Sequence, residues 1–478
     1  MTKRHGHRDR PRRTRRTRRP GRRRAAATWG PVLLVLVVLA AAATAYLLGP
    51  DRGVPDTPAA VPPPSGLELP ALTTPQPVAA AARAGRPDGA AVRRALAPVL
   101  RDHDLGRHVV ASVATLGGTS LWAAGHTSTP ASTMKLLTST AALHVLGPEH
   151  RFRTTVAADG RRGVVLVGGG DPLLASTPQH DWPYAADVVT LARSTARALR
   201  GEGRKAVRIG YDAGLFTGPS TDPHWPADYV QDGVVSPISA LWVDEGRAVN
   251  GYGRVADPAA AAADAFAAAL RRAGVRVLGS PRPRPAPDGA PELAAVSSPP
   301  LGLVVERTLL LSDNEAAEVL ARQVGVAVSG DGSFRAGATA VLDTLSGLGV
   351  QTEDARTYDG SGLSRQDRLD PRTLTAVLEL AASADHPELR PVVTGLPVAG
   401  FTGSLTDRYD LAPRGRGLVR AKTGTLSGVS GLAGIATDRE GTPLVFALLA
   451  DRIHLADTLG ARAALDAATS ALAACRCG

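Results

Sequence analysis

The chain has 478 residues, 44% hydrophobic and 21% charged, with only two cysteines, Cys475 and Cys477; this excludes a wholly disordered chain, a disulfide framework and a cysteine-rich zinc site. The formal net charge is +11, but residues 1–24 hold thirteen basic residues against one acid, Asp9, which is +12. The other 42 basic and 43 acidic residues leave the body at −1, so the charge argues for no nucleic-acid partner. Only four of the 55 basic residues are lysines (Lys3, Lys135, Lys205 and Lys422). Arginine stays protonated, whereas a buried lysine can lose its proton, so a lysine retained among so many arginines draws attention to Lys135 and Lys422.

In chain order, the basic tail (1–30) leads into a transmembrane anchor or uncleaved signal over 31–49, with an uncharged run from Val32 to Leu48. Seventeen residues is at the short end for a spanning helix. The massed arginines before it place the N-terminus inside the cytoplasm. The rival reading is a cleaved signal peptide, with Ala43-Thr44-Ala45 as its small-x-small site. Both readings put the body outside the cytoplasm, either on the cell membrane with a single pass or secreted. The tail acts as a topology determinant and suits anionic headgroups. Residues 50–78 contain nine prolines and read as a semi-rigid spacer.

Residues 79–150 form the first part of a globular body. Ala90–Arg101 has helical spacing, Val109–Leu116 and Ser120–Ala124 read as a hairpin around Gly117-Gly118, and Ser132–Leu146 reads as an apolar helix closed by Gly147-Pro148. Residues 151–290 hold strand-like runs (Gly163–Val167, Ala206–Ile209) and helices (Ala185–Leu199, Pro258–Ala273), and Pro281–Pro291 reads as a boundary. Residues 291–478 open with helices near Leu301, Asn314 and Arg335–Leu348. They continue with strands Leu418–Lys422, Ser430–Thr437 and Pro443–Ala450, and end in an amphipathic helix, Leu455–Ala474.

Three short patterns carry chemistry. In Ser132-Thr-Met-Lys135 the i and i+3 side chains share one helix face, so a neutral lysine amine can deprotonate the serine hydroxyl. The alternative is an ordinary serine N-cap. In Ser312-Asp-Asn314 a hydroxyl and a carboxamide two residues apart suit proton relay and carbonyl binding; the alternative is a helix cap. In Lys422-Thr423-Gly424-Thr425 a cation, two hydroxyls and a glycine suit a terminal carboxylate. Ala421 excludes the phosphate-binding frame that ends in Gly-Lys-Ser/Thr. Together, and in this order, the three are the signature of penicillin-binding proteins and class A β-lactamases.

The chain resembles the D-alanyl-D-alanine carboxypeptidase/endopeptidase family, the class C low-molecular-mass penicillin-binding proteins of peptidase family S13. Beyond the three motifs, the resemblance rests on Pro130-Ala-Ser-Thr-Met-Lys-Leu-Leu-Thr138, Leu166-Val-Gly-Gly-Gly-Asp-Pro-Leu173 and Ser297-Ser-Pro-Pro-Leu301. It also rests on Tyr358-Asp-Gly-Ser-Gly-Leu-Ser-Arg365, Leu396-Pro-Val-Ala-Gly400 and Val419-Arg-Ala-Lys-Thr-Gly-Thr-Leu426.

The resemblance implies an α+β fold of the serine β-lactamase/transpeptidase type. That fold has a five-stranded antiparallel sheet flanked by helices, with an inserted α/β domain over 151–290 that is short for this family. It further implies hydrolysis of peptidoglycan stem peptides ending in D-Ala-D-Ala, through acylation of Ser132, with β-lactams as covalent inhibitors. Lys135 is the implied base. Ser312, Asn314 and Lys422 complete the catalytic set, and Thr423, Gly424 and Thr425 hold the substrate, with the Ser132 and Thr425 amides facing the oxyanion. A β-lactamase or esterase on the same fold, or a penicillin or wall-peptide sensor, is the alternative. Eleven scattered histidines show no ligand spacing, so no metal and no cofactor are expected. For Cys475-Arg-Cys477, a tight loop disulfide and two free or intermolecular thiols stand level.

Overall fold

The computed structural model describes residues 86–179, 185–248 and 251–477. The basic tail, the apolar run over 31–49 and the proline-rich spacer lie outside the described residues. Among the described residues no helix is long and apolar enough to cross a membrane.

The chain enters through α1 (Gly89–Leu96), then β1 (His108–Thr115) and β2 (Ser120–Ala124), a hairpin. A 3₁₀ turn, Ala131–Met134, runs into α2 (Lys135–Leu146). Next come β3 (Arg153–Asp159), β4 (Gly163–Val167), α3 (Val188–Gly201), β5 (Ala206–Asp212), α4 (Pro258–Arg272), β6 (Arg276–Val277), β7 (Arg282–Pro283) and β8 (Glu292–Ser297). Helices α5 (Leu301–Leu311), α6 (Asn314–Ser329), α7 (Phe334–Gly347), α8 (Pro371–Ala382) and α9 (Arg390–Thr394) follow. The chain closes with β9 (Val419–Leu426), β10 (Val429–Thr437), β11 (Pro443–Asp451) and α10 (Thr458–Ala474).

The helix starts have local causes. Asp88, Asp187, Asp257, Asp313, Ser333 and Asp370 each accept hydrogen bonds from first-turn amides, and proline follows at 258 and 371. The helix expected over Ala90–Arg101 breaks after Leu96. Pro98 has no amide to donate, and Val99–Arg101 forms a separate 3₁₀ turn. Similarly, Leu455–Asp457 is a 3₁₀ turn ahead of α10.

The first sheet has the order β2-β1-β11-β10-β9, and every neighbouring pair is antiparallel. Its central strand β11 is buried on both faces. Val445, Ala447 and Leu449 pack into a core with α2, α5, α6, α7 and α8, while Leu444, Phe446, Leu448 and Ala450 pack with α1 and α10. This explains why Pro443–Ala450 reads as a continuous apolar run rather than an alternating one. Cys475 and Cys477, just past α10, are joined by a disulfide.

The second sheet has the order β6-β5-β4-β3-β8, with β7 also on β5. It is mixed: β4, β6 and β7 run parallel to β5, while β4 and β8 run antiparallel to β3. Helices α3 and α4 cover one of its faces. The proline-rich stretch Pro281–Pro291, read from the sequence as a boundary, lies inside this sheet. It supplies β7, and β8 follows it onto β3. Proline is tolerated there because β7 is only a two-residue pairing. Both sheets belong to one compact unit, Ala79–Gly478.

Candidate active site

The nucleophile candidate Ser132 sits in the 3₁₀ turn before α2, half-exposed, behind a residue of left-handed backbone, Ala131 (φ 47°). Such strain on a non-glycine residue persists only where its surroundings enforce it. Gly362 (φ 80°) is one cause, because a Cβ there would collide with the Ala131 carbonyl. On the other side a Cβ on Gly424 would lie 2.7 Å from the Pro130 carbonyl, so a glycine lets β9 close onto the turn.

Helix α2 is buried nearly all round, and Lys135, its first residue, is fully buried. Its Nζ lies 2.8 Å from Ser132 Oγ, 2.8 Å from Asn314 Oδ1 and 2.9 Å from the Ser361 carbonyl. Asn314 has its orientation set by Nδ2, which donates to the Val234 carbonyl at 2.9 Å; the other end of the amide must therefore face Lys135 as an acceptor. A neutral amine has two N–H groups and one lone pair. Two carbonyl oxygens that only accept claim the N–H groups, and the lone pair is left facing the Ser132 hydroxyl.

Burial lowers the Lys135 pKa to about 8, against an opposing pull from Glu318 first, then Asp359, Asp313 and Glu315. The consequence is large. At pH 7 about a tenth of the lysine is neutral, against roughly three parts in ten thousand at its ordinary pKa.

The Ser312-Asp313-Asn314 triplet sends its three side chains to three different partners. Ser312 is the left-handed C-cap of α5 (φ 59°), and its Oγ lies 2.8 Å from Lys422 Nζ. Asp313 caps α6 through the Ala316 amide at 2.9 Å and pairs with Arg307 at 2.6 Å. Asn314 meets Lys135. The triplet thus holds a helix cap at Asp313, while Ser312 and Asn314 each meet a lysine of one of the other two motifs.

Lys422, on β9, is fully buried and also donates to the Thr423 carbonyl at 3.0 Å. Burial, then the charge of Lys135, pushes its pKa well below the ordinary value. Thr423 Oγ1 lies 2.9 Å from Ser404 Oγ, and Thr425 is half-buried at the end of β9. Because β9 is an edge strand, the alternate residues 419, 421, 423 and 425 turn their main-chain groups outward. Val419 O and Ala421 N are taken by Ala399 N and Pro397 O. The outward amide of Thr425 is left facing the cleft rim.

All eight sequence-derived site residues therefore lie around one turn, with Ser132, Lys135 and Asn314 in one hydrogen-bonded group and Ser312, Lys422 and Thr423 in another. Sequence reasoning missed the backbone of Ser361 and the residues that hold it. Glu318, fully buried on α6, accepts from the amides of Gly360 (3.0 Å) and Ser361 (2.8 Å). Asp359 accepts from the amides of Gly362 and Ser364 (both 2.7 Å) and from Trp225 Nε1 (2.8 Å). The available signal was Glu315-Ala-Ala-Glu318, two carboxylates on the apolar side of a helix right after the triplet. Glu245, Asp313 and Glu315 also converge, but arginines satisfy them: Arg307 bridges Glu245 and Asp313, Arg247 binds Glu245, and Arg254 binds Glu315.

The family model described as the D-Ala-D-Ala carboxypeptidase 3 (S13) family matches residues 92–252 and 248–472. A carboxypeptidase of Mycobacterium tuberculosis is 37% identical over 413 residues, covering 82% of this chain and 86% of that protein. Carboxypeptidase DacB of Mycolicibacterium smegmatis is 36% identical over 468 residues, covering 96% and 98%. Among solved structures, penicillin binding protein 4 (dacB) from Haemophilus influenzae shares the fold. Its TM-score is 0.65 at 21% identity, over 80% of this chain and 97% of that one. A family model and relatives that span nearly all of the described body place the chain in the D-Ala-D-Ala carboxypeptidase 3 (S13) family.

Proposed function

We propose that this serine-type D-Ala-D-Ala carboxypeptidase/endopeptidase cleaves peptidoglycan stem peptides through an acyl-Ser132 intermediate, with Lys135 as base and Lys422 as carboxylate anchor and proton store. The carrying observation is the tripod at Lys135 Nζ: two carbonyl acceptors and the Ser132 hydroxyl within 2.9 Å.

The peptide's terminal carboxylate docks against Lys422, Thr423 and Thr425, with Gly424 allowing close approach. That charge favours protonated Lys422, which in turn disfavours a proton on Lys135. Neutral Lys135 takes the Ser132 proton as Oγ attacks the carbonyl between the two D-alanines. The amides of Ser132 and Thr425 stabilise the oxyanion. When the C–N bond breaks, Ser312 gives its proton to the leaving amine and is reprotonated by Lys422. In deacylation, attacking water passes a proton through Ser312 to Lys422. Lys135 returns its proton to the departing Ser132 oxygen, restoring both lysines, and the product acid ionises. β-Lactams enter the first half of this cycle and acylate Ser132.

The N-terminal segment extends the proposal. The apolar run over 31–49 anchors the chain, the basic tail stays cytoplasmic at anionic headgroups, and the spacer holds the catalytic body outside. Processing at Ala43-Thr44-Ala45 would instead release that body.

Ser132→Ala is expected to abolish covalent labelling by a fluorescent penicillin and to lower D-Ala release by at least ~10⁴-fold. Labelling that survives in folded protein would refute the nucleophile.

A further inference from the structure

The second sheet buries Val164, Leu166, Val207 and Ile209 under α3 and α4. Side chains alternate across a sheet, so Gly163, Val165, Arg208 and Gly210 lie on the opposite face. There the floor of a groove of about 610 Å³ is made by Gly163 and Gly210, and its walls by Arg162, Arg208, Arg282 and Arg284. Around Arg162 and Leu278 it continues into a second hollow of about 1180 Å³, edged by Arg161, Arg204, Lys205 and Arg276.

Eight cations thus line one continuous depression that holds only two acids, Asp159 and Glu202. Each acid is already bonded to an arginine, Arg284 at 2.7 Å and Arg204 at 3.0 Å. The other six cations are exposed and make no ion pair among the described residues. This +6 sits on a body whose net charge is −1, so the charge is concentrated rather than typical of the surface. None of these residues is used in the peptidase chemistry.

We propose that this groove binds an extended phosphodiester-linked polymer of the cell envelope, holding the enzyme on the wall while the active site works on stem peptides. The inference rests on the reading that the body faces the wall. Three features choose this occupant. Unpaired guanidinium groups match phosphate in a bidentate geometry that a simple point charge does not need. The site is concave and elongated, so a chain can lie against the glycine floor, whereas a flat bilayer would touch only its rim. The cations line both hollows rather than one point, so a chain of phosphates can meet several of them at once.

The test uses the full chain and short poly(glycerol phosphate), with binding measured against salt. The basic tail is present in every variant, so differences report the groove. Arg162→Ser/Arg208→Ser/Arg282→Ser is expected to weaken binding on the order of 10- to 100-fold at low salt and to lower the salt slope by about two. A control lacking three exposed arginines elsewhere, Arg335→Ser/Arg356→Ser/Arg439→Ser, is expected to bind as the parent does. Poly-glutamate of equal charge is expected to bind several-fold more weakly than the phosphodiester. Penicillin acylation at the parent rate in both variants shows that they are folded; loss of acylation in the parent itself would strike the peptidase reading and leave the groove untouched. The proposal is overturned if the triple variant binds like the parent, if the control loses as much, or if poly-glutamate binds equally. It is likewise overturned if the substitutions abolish binding to phosphatidylglycerol vesicles and spare the polymer.

Discussion

Two lysines lie fully buried at the ends of this active site, and their surroundings differ. Lys135 is in the field of Glu318, Asp359, Asp313 and Glu315, and its pKa settles at about 8. Around Lys422 the acting influences are burial and the charge of Lys135, both of which push down, with no carboxylate in opposition. The protein thus supplies counter-charge to the lysine proposed as the base. It leaves the other without a counter-ion until one arrives, and a peptide's terminal carboxylate is such a counter-ion. With its pKa at about 8 the first lysine is mostly charged at pH 7, so activity is expected to rise with pH through about 8.

The largest effect that can break this contrast is on the base. An arginine at position 135 keeps the charge and N–H donors but cannot become neutral in this range. Lys135→Arg is expected to lower the penicillin acylation rate by roughly 10³- to 10⁴-fold, as far as Lys135→Ala does. Stopped-flow acylation decides it, and an arginine variant within tenfold of the parent would end the neutral-amine account.

A smaller but more specific effect concerns Lys422. If the free enzyme holds it neutral, docking a carboxylate must draw in a proton. Titrating acetylated D-Ala-D-Ala into the Ser132→Ala protein at pH 8, in two buffers of different ionisation enthalpy, is expected to show a net uptake of about half a proton, the one that Lys422 gains less the share that Lys135, half-charged at its pKa of about 8, gives up. Lys422→Met is expected to remove the uptake and weaken binding by on the order of 10- to 100-fold, the worth of a charge-assisted hydrogen bond. Binding without proton uptake in the Ser132→Ala protein would mean that the two lysines are not poised differently.

Much of this contrast was legible in the chain itself. Of the lysines in the body, the two inside motifs are buried and Lys205 is exposed, so the two that the sequence reading singled out are the ones whose environment differs from an ordinary surface lysine. Several helix starts were also legible, because Asp313 and Asp257-Pro258 act locally; α8 was not among the expected elements, although Asp370-Pro371 opens it by the same local means. What escaped depends on contacts between distant parts of the chain. The Ser361 carbonyl that takes one Lys135 proton donor is a backbone group, and no side-chain type marks it. Val234 orients Asn314 in the same anonymous way. Glu318 acts only because the segment 359–364 folds back onto α6. Strand β7, inside the proline-rich stretch, and β8, just after it, could not be seen because their partners, β5 and β3, lie far back along the chain.

Glu318 offers the finest test, because its two roles separate by pH. Burial and the neighbouring Asp359 push its own pKa up to about 8, so it titrates together with Lys135 and the acid limb of the rate profile belongs to the pair. As a scaffold it holds the Gly360 and Ser361 amides, and hence the carbonyl on Lys135; as a charge it is the largest influence raising the Lys135 pKa. Glu318→Gln keeps the shape, turns one acceptor into a donor and removes the charge. Loosening of the loop alone would lower the acylation rate several-fold at every pH and leave the limb in place. Removal of the charge makes Lys135 easier to deprotonate, so the limb is expected to move to lower pH, by on the order of one unit, with a lower plateau. The variant then loses least, relative to the parent, on the acid side. Acylation rates from pH 5.5 to 9 decide between the two. A limb that stays put would reduce Glu318 to a scaffold, and a limb that moves up would contradict the sign of the electrostatics around the base.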